Sequence, residues 1–243
     1  MASESGHWYT REGAPAYTVI GKNGRERATT IRDAREHGWL PSVTTITACA
    51  ARFGLETWKQ QQVLLAALTL PRLDGEADSD FIKRVMADSK EQASKAAEHG
   101  TAIHAAVERH YAGQDAVPEY APWVKAAVEC VQQAFGEQEW KPEKSFADLL
   151  NGYGGKVDLH SDKAVVDFKT KDGDLSGVKL WDDHFMQLAA YSAGLGRATA
   201  TCGIVFISRT EPKAMACILS TDELDRGWRM FSALLDYWKA ANL

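Results

Sequence analysis

The spacing of apolar residues divides the chain into a front part with mostly helical periodicity and a rear part with strand-like alternation. Near the start, Tyr17–Ile20 and Arg27–Thr30 predict two short strands joined at Asn23-Gly24, because Asn-Gly favours a tight hairpin turn. Apolar residues then recur at helical spacing. The predicted helices cover 31–37, a segment with Ser42 as its N-cap, 55–68, 81–111 with an interruption at Gly100, and 122–135.

After Glu139 the periodicity changes to that of short strands. Three strand-like runs, Lys144–Leu149, Lys156–His160 and Ala164–Lys169, are separated by turn-forming residues. A helix at 180–195, strands at 202–208 and 214–219, and a closing helix at 221–241 capped by Thr221 or Asp222 complete the chain. This order predicts an α/β fold in which helices flank a mixed sheet. We expect a single domain over 1–243, with a mainly helical part and its hairpin at 1–136 and an α/β core at 137–243.

The composition is that of a globular chain. Of the 243 residues, 45% are hydrophobic and 25% are charged, which is enough apolar material to bury a sizeable core. No apolar run approaches the roughly 20 residues needed to span a bilayer, and the first ten residues lack the basic-then-apolar order of a signal peptide. We therefore expect a cytoplasmic protein with no membrane partner.

The charge balance restricts how the chain could meet nucleic acid. A net charge of −5 argues against nonspecific coating of nucleic acid, because release of counterions from phosphates needs clustered Lys and Arg. The same charge balance still allows a local nucleic-acid site, in which carboxylates hold divalent cations and the cations contact a phosphate. The four cysteines, Cys49, Cys130, Cys202 and Cys217, form no CxxC pair, so a zinc knuckle is not predicted.

Two neighbouring strands of the predicted core each carry a carboxylate. Asp167 and Lys169 are two residues apart and so project from one face of the sheet, while Phe168 points to the other. If a hairpin joins the two strands, Asp158 lies across from Asp167, and their oxygens suit Mg²⁺ or Mn²⁺. A lysine beside such an ion can hold or polarise an attacking water. The alternative is a surface hairpin with ordinary acidic and basic residues.

Asp158 followed by Asp167-Phe168-Lys169 resembles the PD-(D/E)XK nuclease pattern, with Asp in place of the commoner Glu at the second acid. The resemblance implies a core like that of restriction endonucleases, with 137–243 as the catalytic part. It also implies a metal-dependent deoxyribonuclease in which Asp158, Asp167 and the carbonyl of Phe168 bind Mg²⁺ or Mn²⁺. Lys169 then positions or activates the water.

A second match lies on the predicted helix before the core. The run from Gly100 to Glu108 has the form GTxxHxxxE and resembles the element by which RecB-like nucleases supply a histidine to the metal. His104 and Glu108 are one turn apart on one helical face. The resemblance implies that His104 is a metal ligand and that Glu108 supports the metal or its waters, although a histidine on a helix is often only structural.

Two further matches extend the likeness. Gln187 and Tyr191 fit the QxxxY element of the same family and share a helical face, where they could orient the catalytic lysine or contact DNA phosphate. The run Leu40–Ile46 resembles the opening of exonucleases related to the mitochondrial genome maintenance exonuclease and of phage relatives. Its hydroxyl residues Ser42, Thr44 and Thr45 could contact phosphates or simply cap a helix.

The resemblance implies an exonuclease acting on DNA that is single-stranded or has free ends, in replication, recombination or repair. Replication or recombination proteins are candidate further partners, and a bacterial or phage-infected cell is the expected setting. The scattered cysteines lack the spacing of an iron–sulfur site, so no cluster is predicted. The sequence contains no GxxxxGK[ST] loop, so no bound nucleotide is predicted. Two alternatives stay open: a structure-selective endonuclease on the same core, and a noncatalytic DNA-binding module.

Overall fold

The computed structural model describes residues 7–50, 53–115 and 117–243. The strands in these ranges are β1 Trp8–Tyr9, β2 Thr18–Ile20, β3 Glu26–Ala28, β4 Leu40–Pro41, β5 Lys141–Asp148, β6 Tyr153–His160, β7 Ala164–Lys171, β8 Thr201–Ser208 and β9 Ala214–Ile218. The helices are α1 Ile31–His37, α2 Val43–Thr47, α3 Phe53–Thr69, α4 Asp78–Tyr111, α5 Ala121–Phe135, α6 Asp182–Gly194 and α7 Thr221–Asn242.

A five-stranded sheet in the order β5-β6-β7-β8-β9 forms the centre of the fold. Its neighbouring strands are antiparallel except for β7 and β8, which run parallel and are connected through α6. One face packs on α6 and α7, and the other packs on α4 and α5, so two separate apolar clusters form. The predicted mixed sheet flanked by helices is therefore confirmed.

Strands β1 and β4 pack against strand β6. Strands β2 and β3 form the predicted hairpin, with Gly24 at a φ of +74° in its turn. Strand β1 pairs with β4, and Ser42, directly after β4, forms an isolated parallel bridge to Gly154 on β6. A Cβ atom on Gly154 would meet the Tyr9 side chain at 2.7 Å, so glycine is needed there for the close approach.

Helix α4 differs from its prediction at two points. It begins at Asp78 rather than after Asp80, and acidic residues in a first turn favour the helix dipole. It also continues without interruption through Gly100. At Gly100 an added Cβ would overlap Oγ1 of Thr170, so the glycine allows helix α4 to approach β7 closely. This packing offsets the propensity cost of about 1 kcal/mol for a helical glycine.

Other boundaries differ by a few residues. Ser220 is the N-cap of α7 and makes a capping box with Glu223, so the predicted caps Thr221 and Asp222 were wrong by one or two positions. Helix α6 begins at Asp182 rather than near residue 180. Both β5 and β6 start three residues earlier than predicted, because glycines and a proline at their beginnings conceal the alternation.

Within the described ranges, every helix is too short or too polar to cross a lipid bilayer.

Candidate functional site

The regular pairing of β6 with β7 ends at Leu159, the residue next to the first predicted acid, Asp158. Leu159 pairs with Val166, and the described ladder goes no further toward Asp158. Val157 and Leu159 pack into different apolar clusters although they are two residues apart, so the alternation of faces breaks at Asp158. Its carboxylate consequently reaches β7, where Oδ2 accepts a hydrogen bond of 2.9 Å from the backbone N–H of Phe168.

The same break affects β5 across from it. The register places Glu143 opposite Asp158, but the described pairs pass from Pro142 directly to Lys144. Glu143 has a φ of +55°, and it is the non-glycine residue with positive φ in the described chain. Such a conformation costs about 1–2 kcal/mol per residue and occurs often at functional sites. Sequence reasoning missed Glu143, because no local pattern marks a strained residue inside a strand.

Asp167 and Lys169 form an ion pair on β7. Lys169 Nζ lies 2.6 Å from Oδ2 of Asp167, whose side chain is only 2% exposed. The other carboxylate oxygen, Oδ1, accepts a hydrogen bond of 3.0 Å from Nε2 of Gln187 on α6. The two residues share a sheet face, as the two-residue spacing predicted, and Phe168 between them packs in the cluster on the opposite face.

Helix α4 places His104 beside the first acid. His104 Nε2 lies 3.1 Å from Oδ2 of Asp158. The imidazole also packs edge-on against the Phe168 ring, with ring centroids 5.8 Å apart. The close contact of Gly100 with Thr170, one helical turn earlier, lets the histidine reach this position.

Burial and charge change the proton affinity of the pair on β7. Burial raises the pKa of Asp167 to about 6, with Asp158 adding to the increase and Lys169 opposing it. For Lys169, burial lowers the pKa, but the carboxylates of Asp167 and Asp158 outweigh it and the net direction is upward. Lys169 is therefore a charged ammonium at neutral pH and not a free base.

In the pair between α4 and β6, the pKa of the acid shifts in the opposite direction. Burial raises the pKa of Asp158, but His104, Lys169 and the Phe168 N–H reverse the effect, and the pKa is lowered. Burial lowers the pKa of His104, while the charge of Asp158 outweighs it and leaves the pKa raised. Asp158 is thus the more readily ionised of the two acids.

Gln187 and Tyr191 lie one turn apart on α6 and are hydrogen-bonded to each other. Nε2 of Gln187 donates to Asp167 and also to the Tyr191 hydroxyl, at 2.9 Å. Gln187 therefore contacts the acid rather than Lys169. Burial, with the charges of Asp167 and Asp158, raises the pKa of Tyr191 far above its usual value, so the phenol keeps its proton and remains a donor.

Glu108 stands apart from this contact network. Burial raises its pKa, and the charge of Glu143 adds to the increase, while Lys156 and His104 oppose it. The carboxyl is thus within electrostatic reach of His104 and Asp158 but is not among the residues that line the cleft.

Apart from Glu108 and the hydroxyl residues near α2, the predicted site residues line one open cleft with a volume of about 350 Å³. Its walls come from α4, β6, β7 and α6, and apart from His104 the side chains on the α4 side are small. The lining residues are Ala97, Gly100, Thr101, His104, Asp158, Asp167, Phe168, Lys169, Thr170, Gln187 and Tyr191.

The hydroxyl residues at the start of α2 have a capping role. Ser42 Oγ accepts a hydrogen bond from the Thr45 backbone N–H at 3.0 Å, as an N-cap does. The Ser42 hydroxyl also contacts the hydroxyls of Thr44 and Thr45, each at 2.9 Å. These contacts explain the positions of the three hydroxyl groups without a bound phosphate.

The donor atoms of the cleft suit a hard divalent cation. His104 Nε2 and Asp167 Oδ2 are buried and make no hydrogen bond of good geometry, although each lies at ion-pair distance from a neighbour. The Phe168 N–H faces β6, and the C=O of a strand residue points the same way, so this carbonyl faces the gap beside Asp158. In the described residues no three His, Cys, Asp or Glu side chains are already arranged around one ion, because Asp158 is paired with His104 and Asp167 with Lys169.

The sequence matches no model of a protein family and no curated protein. Comparison of structures finds a "putative exonuclease" from Eubacterium rectale, with 12% identity and a TM-score of 0.42 over 60% of this chain and 69% of that one. A second neighbour is SSO0001, with 18% identity and a TM-score of 0.32 over 47% of this chain and 54% of that one.

Proposed function

We propose that this protein is a Mg²⁺- or Mn²⁺-dependent deoxyribonuclease that removes nucleotides from DNA ends. One observation carries the proposal: a buried acid–lysine pair, Asp167 and Lys169, lies beside a second acid paired with a histidine, Asp158 and His104, in a single open cleft. The resemblance of these residues to the PD-(D/E)XK pattern supports it.

His104, Asp158, Asp167 and the carbonyl of Phe168 would hold the metal ion. When bound, the ion would supply positive charge to the phosphate oxygens and favour ionisation of water at neutral pH. Glu108, one helical turn from His104, would support this shell by accepting hydrogen bonds from water.

Lys169 holds the attacking water and stabilises the transition state in this proposal. Its ammonium donates hydrogen bonds, and the positive charge opposes the negative charge that develops on the phosphate. Asp167 fixes the ammonium at 2.6 Å, and Gln187 fixes the carboxylate from the other side, so the group is positioned before substrate arrives. Tyr191 retains a hydroxyl proton that it can donate to a phosphate oxygen.

The cleft favours a strand end over an intact duplex. Its volume of about 350 Å³ and its walls of helix on two sides suit a few atoms of sugar and phosphate rather than a double helix. Gly100, Thr101 and Thr170 present little bulk there, so a backbone can approach the centre closely.

The test is degradation of end-labelled single-stranded, duplex and covalently closed circular DNA with Mg²⁺, Mn²⁺ or EDTA. We expect metal-dependent shortening from the ends in the wild type and none in Asp167→Ala or Lys169→Ala. Lys213→Ala, at a lysine that is 70% exposed, serves as the control and should be fully active. Cleavage of the closed circle would identify an endonuclease, and binding without cleavage under every metal condition would identify a DNA-binding module.

A further inference from the structure

Strand β7 carries a second lysine beyond the acid–lysine pair of the cleft. Asp167, Lys169 and Lys171 occupy alternate positions of β7, so they project from the same face of the sheet, the one that packs on α6. The two lysines are separated by two residues of strand, or roughly 6.6 Å along the backbone. The proposed reaction uses Asp167 and Lys169 and leaves Lys171 without a function.

The Lys171 side chain leans back along the sheet toward Lys169. Its Nζ lies over the ring of Phe206 on β8, 5.7 Å from the ring centroid. Phe206 pairs with Lys169 in the parallel ladder, two positions before Lys171. Because an aromatic face attracts an ammonium group, this buried ring helps to fix the position of the Lys171 charge. The two ammonium groups of β7 are therefore neighbours on one face of the sheet.

The acids of the neighbouring segments are bound to other groups. Asp172, the residue after Lys171, accepts two hydrogen bonds from Arg209, at 2.6 and 2.7 Å. Asp183, in the first turn of α6, accepts the backbone N–H of His184 through Oδ1 at 3.1 Å. Within the ranges that the structure describes, Lys171 has no carboxylate at ion-pair distance. Its charge is left without a counter-ion from these segments.

The histidine beside Phe206 does not supply one either. The His184 ring packs edge-on against Phe206, with centroids 5.8 Å apart. Burial lowers the pKa of His184 to about 4, with Asp183 opposing the decrease and Lys171 adding to it. The imidazole is therefore neutral at neutral pH. A partly buried ammonium with an aromatic support and no acid partner is suited to an anion from outside the chain.

We propose that Lys171 binds the phosphate next to the scissile one. The proposal rests on the function proposed above, because it takes Lys169 to lie at the scissile phosphate. Neighbouring phosphates of an extended DNA strand lie about as far apart as alternate residues of a β-strand, so two lysines on one face of β7 match two consecutive phosphates. Lys171 would bind its phosphate as a point charge, away from the reacting atoms, and would align the DNA strand along β7.

The first test is the affinity for a labelled single-stranded oligothymidylate, measured by fluorescence anisotropy over a range of NaCl concentrations. EDTA, or Ca²⁺ in place of Mg²⁺, keeps the strand intact, and a gel checks this. We expect Lys171→Met to bind about 3–10-fold more weakly at low salt, and the slope of log affinity against log salt to fall by roughly 0.7, which is one phosphate contact on a single strand.

Two other variants control for charge and position. Lys171→Arg keeps the positive charge and should keep the salt slope of the wild type. Lys163→Met removes an exposed lysine just before the opposite end of β7, and its affinity and slope should be unchanged.

A second test locates the contact. Each oligonucleotide carries one methylphosphonate, which removes the charge of a single phosphate, and its affinity is compared with that of the unmodified strand. We expect one position at which the modification weakens binding to the wild type but has no effect on Lys171→Met, because two changes at one contact are not additive. A purely structural effect of the substitution would leave every position equally sensitive in both proteins.

A folded Lys171→Met with the affinity and salt slope of the wild type, or additive losses at every methylphosphonate position, would overturn the proposal. Far-UV circular dichroism establishes folding, and Lys171→Gln is the second uncharged variant if Lys171→Met is unstable. Failure of the proposed function gives a different result: a wild type that binds the strand and shows the coupling to Lys171, but cuts no DNA in Mg²⁺ or Mn²⁺. A wild type that cuts DNA without this coupling removes only Lys171 from the binding site, and one that binds no DNA overturns both proposals.

Discussion

Oδ2 of Asp158 serves two neighbours at once: it accepts the backbone N–H of Phe168 at 2.9 Å and lies 3.1 Å from His104 Nε2. The side chain replaces a backbone acceptor at the position where β6 and β7 separate. The same residue therefore closes the sheet and faces the cleft. Its two roles can be separated by substitution.

Asp158→Asn should lose nuclease activity but remain nearly as stable as the wild type, because the amide oxygen can still accept the Phe168 N–H. Asp158→Ala leaves that N–H without a partner and should cost a further ~1–3 kcal/mol of unfolding free energy. Urea denaturation of both variants in EDTA measures the difference. Equal stabilities would show that the hydrogen bond does not support the strand.

Gly100→Ala tests the contact between α4 and β7. The new methyl group would overlap Thr170 Oγ1, so the helix must shift and carry His104 away from Asp158. We expect a loss of ~1–3 kcal/mol in stability and at least a tenfold weaker Mn²⁺ affinity. Gly177→Ala is the control, because a Cβ there meets nothing within 4 Å. The double variant Gly100→Ala/Thr170→Ala should recover most of both losses, and no recovery would mean that the overlap is not the cause.

Gln187→Leu tests whether the amide positions Asp167 or contacts DNA. Because Nε2 donates to Asp167 Oδ1, we expect kcat to fall ~10–100-fold with KM for DNA nearly unchanged. Tyr191→Phe removes the acceptor for the second Gln187 bond and should have a smaller effect on kcat. Steady-state kinetics on a labelled oligonucleotide separates the two constants. A rise in KM at constant kcat would instead assign Gln187 to substrate binding.

Metal-free protein should become less stable as the pH rises through the titration of Asp167. Burial raises the pKa of this acid from 3.8 to about 6, so the folded state binds the proton more tightly than the unfolded state does. The stabilising effect is fully present below about pH 4, decreases as the pH rises, and is lost above about pH 6. Its size is on the order of 1–3 kcal/mol.

Asp167→Asn is neutral at every pH and should lack this contribution. Unfolding free energies measured in EDTA from pH 4 to pH 7.5 should show the variant gaining stability relative to the wild type as the pH rises. Lys169 stays charged throughout this range, and its attraction for Asp167 is already included in the raised pKa of the acid. Parallel pH profiles for the two proteins would contradict the raised pKa.

The features that could be predicted from sequence are those with a local cause. The short strand-like run over 164–169 identified β7, and the two-residue spacing of Asp167 and Lys169 placed them on one face. Helical spacing likewise placed Gln187 and Tyr191 one turn apart, where they are now seen to be hydrogen-bonded.

The features that could not be predicted depend on packing between distant segments. The low helix propensity of glycine predicted an interruption of the helix at Gly100. Propensity reflects the entropy cost of the glycine and not its contact with Thr170. The break in alternation at Asp158 and the positive φ of Glu143 arise from two strands together, so neither strand alone reveals them. Strands β1 and β4 have two residues each, which is too short for any period to be detected.

The parallel pairing of β7 with β8 has a consequence for a newly made chain. Strand β7 gains its second neighbour only after α6 has crossed over and β8 has been synthesised, and the same crossover brings Gln187 to Asp167. Parallel pairing of this kind forms slowly, because a long loop must close first. If the protein is the nuclease proposed here, a chain that ends before α6 lacks the Gln187 contact that holds the Asp167 carboxylate.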